Sequence, residues 1–343
     1  MSEIKGMLRN AGMEIWENLP AWYVYIGVTS LTFSYISLTP VQRYGRATTF
    51  IFPLILFFAF YLSRIYTDST IAEKRKKDFA RNLLLGLSVN MILIFLLAFP
   101  VRLGDTLEIH LKNYKLYFEL TVLLVEFLIG IHCYLHRRKR DFFMFIIPAL
   151  IYGFFLESGG VTMGFFFENH YSVYLPFFNA PLVTMLGWSS TFYITVFMCE
   201  KIMEALPRLK KGKSLLLSIF LVPFSALLID LQLDPFATEM GLWKWNPVLY
   251  REGADLILGV PLLNFFAWFG AVFSFGLFYF MITAGKFSRY GELKKAALMT
   301  MFIPVILLFA GLIIFSLAGI YEGFNGPTWT ILKDYFNTGM ATL

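Results

Sequence analysis

Glu157, Glu168, Asp230, Asp234, Glu239, Glu252 and Asp255 fall in one half of the chain, at or just beyond the ends of long apolar runs, with only Lys244 and Arg251 near them as cations. Carboxyls at membrane depth are costly and are usually functional or paired. A carboxyl without a cation and away from water holds its proton more firmly, and so can act as a proton donor near neutral pH. Asp230 and Asp234 are one helical turn apart, on one face of a helix that Pro235 is expected to end. Two carboxyls that close favour keeping one proton between them. The same spacing would also suit a water-exposed helix end with both acids solvated.

Around these acids the sequence repeats itself. Glu157 is followed by Met163-Gly164 and the aromatic run Phe165 to Phe167, and Asp234 is followed, at the same spacing, by Met240-Gly241 and Trp243-Lys244-Trp245. Further on, Pro181-Leu182 precedes Trp188 just as Pro261-Leu262 precedes Trp268. The pattern predicts two helical hairpins of one plan, each delivering an acid and several aromatics. Hairpins running in the same direction are related by an axis along the membrane normal, and sites in such folds lie between the repeats.

The elements that must hold these residues follow from composition. The chain has 343 residues, 58% hydrophobic and only 15% charged, whereas soluble domains carry about 25% charged residues. An all-α, polytopic membrane protein is expected, because a predominantly apolar stretch of about 20 residues crosses the bilayer as a helix. Nine windows qualify: 19–39, 47–63, 82–101, 116–136, 142–158, 180–200, 214–232, 258–284 and 296–320. They divide the chain into an amphipathic lead-in (1–18), four transmembrane helices (19–140), a repeat-containing core (141–285), and a last helix with an outer tail (286–343). Placing the N-terminus in the cytoplasm puts 21 of the 29 basic residues on that side, the orientation expected for a protein of the cell (inner) membrane. The net charge of +6 is then mostly a topology signal. Basic runs such as Arg137 to Arg140 are expected to meet anionic lipid rather than nucleic acid.

Several chemistries lack support. Four histidines are too few for the clustered boxes of membrane di-iron enzymes. His132 and His136 form an H-x3-H pair on a span that also carries Glu119 and Glu126, read here as polar interhelical contacts rather than a metal site. Neither Cys133 nor Cys199 suits a disulfide framework, since both lie in apolar runs. No P-loop, no G-x-G-x-x-G and no serine elbow is present, so nucleotide-dependent chemistry has no support. Asp230-x3-Asp234 fits one motif of intramembrane prenyltransferases, but their N-D-x-x-D-x-x-x-D run is missing.

The stretches Glu157 to Trp188 (ESGGVTMGFFFENHYSVYLPFFNAPLVTMLGW), Asp230 to Trp245 (DLQLDPFATEMGLWKW) and Gly259 to Trp268 (GVPLLNFFAW) resemble the integral-membrane carotenoid biosynthesis proteins, which include carotenoid 1,2-hydratases and bisanhydrobacterioruberin hydratases. The likeness covers roughly residues 80–285, and departs from the family's glycine and tyrosine at Phe165 to Phe167. It implies a hydratase that adds water across a terminal isopropylidene double bond without a cofactor. Asp230, Asp234 and Glu157 would be its catalytic acids. Trp188, Trp243, Trp245, Trp268, Asn264 and Phe166 would bind the substrate, a carotenoid or other long isoprenoid lipid. Other readings stay open: a carotenoid- or lipid-binding subunit of a homo- or hetero-oligomer that has lost the chemistry, or a prenyltransferase.

Overall fold

The structure, a computed structural model, describes residues 139–168, 171–175, 179–205, 213–239, 242–250, 256–257, 259–283 and 287–340, preceded by helical residues scattered between 119 and 134. The expected lead-in, the first three spans, His110, His136 and His170 lie outside the described residues, and with them the count of nine helices.

Apolar sequence with no water to satisfy its backbone folds as helix. Accordingly, α1 (Lys139–Thr162), α2 (Leu182–Ala205), α3 (Lys213–Glu239), α4 (Leu262–Thr283) and α6 (Ile303–Glu322) account for most of the described chain. Among the described residues, four segments are long and apolar enough to cross a membrane: Phe145–Thr162, Leu182–Glu200, Leu262–Thr283 and Ile303–Glu322. Within α3 the apolar stretch Ile219–Leu231 is shorter, although its 27 residues span about 40 Å at 1.5 Å per residue.

Two expectations need correction. Pro235 does not end its helix, for α3 continues to Glu239. A proline costs one backbone hydrogen bond, whereas stopping there would leave four carbonyls to satisfy inside the membrane margin. The last apolar window is also two helices. The short amphipathic α5 (Glu292–Met301) ends at Phe302 and α6 begins at Ile303. Pro304, which cannot donate to the preceding turn, sits comfortably in the first turn of α6. Beyond α6 the expected tail is itself a helix, α7 (Pro327–Met340).

Helices α1 and α2 pack as one hairpin and α3 and α4 as a second, with α2 against α3, α6 against α4 and α5 against α1. Aromatic rings fill the centre. Phe192 of α2 stacks on Phe275 of α4 at 4.4 Å, and the buried Tyr152 of α1 donates its hydroxyl to the Ala271 carbonyl at 3.1 Å.

The connections at one end of the hairpins contain short strands. β1 (Phe166–Phe167) pairs antiparallel with β2 (Lys244–Trp245), and β3 (Leu256–Ile257) with β4 (Val260–Pro261). Pro181 makes an isolated bridge with Tyr174, matching the pairing of Pro261 with Leu256, so each proline ends an extended segment just before α2 or α4 begins.

Candidate active site

The two hairpins meet about a local two-fold axis that the sequence repeat specifies. The offset that carries Glu157 onto Asp234 carries Phe167 onto Lys244, and these two residues pair directly in the β1–β2 ladder. The offset that carries Pro181 onto Pro261 carries Trp188 onto Trp268, whose rings lie 4.7 Å apart. A residue touching its own repeat counterpart must lie on the axis, and both contacts do so. Gly164, with φ of 78°, makes the left-handed turn that brings β1 to this crossing. Asn246 ties the crossing together, its side chain donating to the Gly164 carbonyl at 2.7 Å and its backbone N–H to that of Phe165 at 2.9 Å.

Each hairpin brings two carboxyls beside this axis. In the second, Asp230 and Asp234 are both buried, and Asn264 donates its amide to Asp230 Oδ1 at 2.9 Å and to Asp234 Oδ2 at 2.6 Å. The two aspartates also touch each other, and Trp268 hydrogen-bonds Asp234. In the first hairpin, Trp188 Nε1 donates to Glu157 Oε2 at 2.6 Å. Glu157 touches a second carboxyl, Glu168, which accepts from the Thr184 hydroxyl at 3.2 Å. Thr184 is the repeat counterpart of Asn264. The halves therefore share one plan: a tryptophan and a short polar side chain holding a pair of carboxyls.

Burial and the neighbouring Glu157 charge push the Glu168 carboxyl well above the usual carboxylate range. Among the described residues no Lys or Arg pairs with any of the four acids, the one ion pair being Lys295 with Glu292.

A cavity of about 760 Å3 opens onto this cluster. Glu157 and Asp234 line it, while Asp230 and Glu168 stand behind them. All six residues expected to bind substrate reach the wall: Trp188, Trp268 and Asn264 beside the acids, and Phe166, Trp243 and Trp245 from the strand crossing. The opposite wall is apolar and comes from α6, through residues such as Leu308, Gly311 and Phe315, with Trp329 of α7.

A family model described as a carotenoid biosynthesis protein matches residues 117–325, more than half of the chain. The chain belongs to the carotenoid biosynthesis protein family. The match starts at residue 117, later than the residue 80 or so at which the resemblance begins, and runs past α6 to residue 325, beyond the resemblance's end near 285. Comparison with curated proteins and with solved structures finds no significant match. The membrane helices agree with a family that works on lipophilic molecules.

The polar groups on the segment before α1 of this carotenoid biosynthesis protein reach α2 and the loop that precedes it. His132 Nδ1 lies 2.8 Å from the Tyr193 hydroxyl, Glu126 accepts from Ser189 and Ser190, and Glu119 accepts the Ser172 backbone N–H at 2.6 Å. Cys133 and Cys199 are buried thiols. Glu252 and Asp255 lie outside the described residues. Glu168 is one of several acids in this half of the chain, and no spacing marks it, because its approach to Glu157 depends on the turn at Gly164.

Proposed function

We propose that the protein is a membrane-embedded hydratase that adds water across a terminal isopropylidene double bond of an acyclic carotenoid. One observation carries this reading: an apolar cavity on whose wall two carboxyls, Glu157 and Asp234, each sit beside a tryptophan. The volume of about 760 Å3 falls in the range of about 300–1,000 Å3 that buries a compact ligand. It suits one end of a long chain whose remainder runs into lipid.

The chemistry needs an acid, a place for a tertiary cation and a positioned water. Asp234, backed by Asp230, gives its proton to the terminal alkene CH, and the positive charge develops on the neighbouring tertiary carbon. The faces of Trp188 and Trp268 attract that cation through their ring quadrupoles. Glu157 orients a water, which forms the C–O bond and yields its proton to the carboxyl. Passing that proton back to the aspartate pair restores the starting state. The product is a tertiary alcohol, and nothing else is consumed.

Expression of the full chain in a lycopene-accumulating bacterium tests the proposal. Mass analysis of the extracted pigment is expected to show one added water per reacted end group. Pigment that purifies with the protein unaltered would instead favour a carotenoid-binding subunit. For that second reading the specific observation is the aromatic run, whose Phe166 packs on Gly160 and Trp245 inside the cavity.

A further inference from the structure

The second carboxyl of each pair comes from a different place in its repeat. Asp230 lies one turn before Asp234 on α3, and its repeat counterpart on α1 is Gly153, which has no side chain to offer. A Cβ at Gly153 would come 2.7 Å from the Cβ of Trp188. Glu168 lies in the loop beyond β1, and its counterpart beyond β2 is Trp245. Even so, Glu168 meets Glu157 as Asp230 meets Asp234. It accepts from Thr184 at the position equivalent to Asn264, and stands back from the cavity wall as Asp230 does. Glu168 is 4% exposed, and its Oε1 takes no hydrogen bond from any donor. A carboxyl oxygen with no donor, against a second carboxyl, is accounted for by a proton between the two.

We infer that Glu168 is a positioning residue that shares one proton with Glu157, so that the Glu157–Glu168 pair, and not Glu157 alone, receives the proton of the attacking water. For its kinetic consequence this rests on the hydratase reading. At the start each pair holds one proton. The aspartate pair gives its proton to carbon, water gives one to the glutamate pair as the C–O bond forms, and that extra proton then returns to the aspartates. Among the described residues, the groups facing Glu168 are Glu157 from α1 and Asp234 from α3, with Tyr171 beside it in the loop and Thr184 from α2. None is a cation, so a proton is the one positive charge the cluster itself supplies.

The test uses the full chain in membranes and two measurements on Glu168→Gln. The first is the infrared band of protonated carboxyls, followed as pH is stepped upward. The amide is expected to remove one titrating carboxyl from that band, and Glu168→Asp to restore it. The second is the hydration rate, expected to fall about tenfold or more in Glu168→Gln and to recover in part in Glu168→Asp. A band unchanged in Glu168→Gln overturns the inference, as does an unchanged rate. If Glu168→Gln does not accumulate, the band is followed in Thr184→Val, where loss of the hydroxyl should move it; an unmoved band overturns the inference equally. If the wild type hydrates nothing, the functional reading fails by itself, and the band still decides whether Glu168 shares its proton.

Discussion

Trp188 and Trp268 occupy the same position in two repeated hairpins and lie against each other at 4.7 Å, each hydrogen-bonded to the acid of its own hairpin. Each ring is thereby held at both ends, its N–H on a carboxylate and its face on its counterpart. Replacing either by Phe keeps a ring and removes both the hydrogen bond and the stronger quadrupole of the indole. Hydration is expected to slow by about tenfold in each variant, since a cation–π contact to a desolvated charge is worth about 2 kcal/mol or more and a phenyl ring keeps part of it. A loss confined to one tryptophan, measured under single-turnover conditions, would show that the cation forms on one side of the axis.

The acids differ in their access to substrate. Asp234→Asn and Glu157→Gln remove carboxyls from the cavity wall, and each is expected to lower the rate by about 100-fold or more. Asp230→Asn acts through its neighbour, because Asp230 does not reach the cavity, and should cost less. Comparing the three rates in membranes that hold equal amounts of protein checks the order.

Asn264 donates to two buried carboxyls with one amide. In Asn264→Leu both lose a donor inside the protein, which costs about 1–3 kcal/mol for each unsatisfied group. Thermal unfolding in detergent should therefore begin at a lower temperature than in the wild type, while Asn264→Gln should fall between the two.

Glu168 makes stability depend on pH. Its carboxyl is raised in the folded protein, first by burial and then by Glu157, so the folded state binds a proton that the unfolded state releases above about pH 4.3. The contribution is fully present below that value and is lost as pH rises toward the folded value. The unfolding temperature should accordingly decline on the alkaline side of about pH 4.3, and decline less steeply in Glu168→Gln.

Gly153 permits the close approach of α1 to α2 beside Trp188. A methyl there would lie 2.7 Å from the Trp188 Cβ and 2.9 Å from the Met185 carbonyl oxygen, and overpacking of this kind costs about 1–3 kcal/mol. Gly153→Ala should lower the unfolding temperature and, by displacing Trp188 from Glu157, the hydration rate as well.

The repeat was legible because it is written in residue types at fixed spacing: an acid, a Met-Gly, a proline and a tryptophan in each half. The same spacing groups Glu157, Asp234, Trp188 and Trp268. Other features carry no such signal. Strands of two residues, such as Phe166–Phe167, are too short for alternation to show. Pro235 reads as a helix end by local rules, yet a helix margin within a bundle obeys the larger cost of unsatisfied carbonyls. Glu168 is one acid among several in the sequence. Its place beside Glu157 is set by the left-handed turn at Gly164 and by the tether from Ser172 to Glu119.

That difference in origin separates the two halves of the site in folding terms. Asp230 and Asp234 come together as soon as α3 coils, through contacts one turn apart. Glu157 and Glu168 come together only when a loop closes, and that closure is secured by Glu119, on a helix far away in sequence. A chain with every helix formed can therefore still lack half of its carboxyl cluster. Far-ultraviolet circular dichroism would report such a chain as fully native, and only a probe of the loop itself would reveal the missing half.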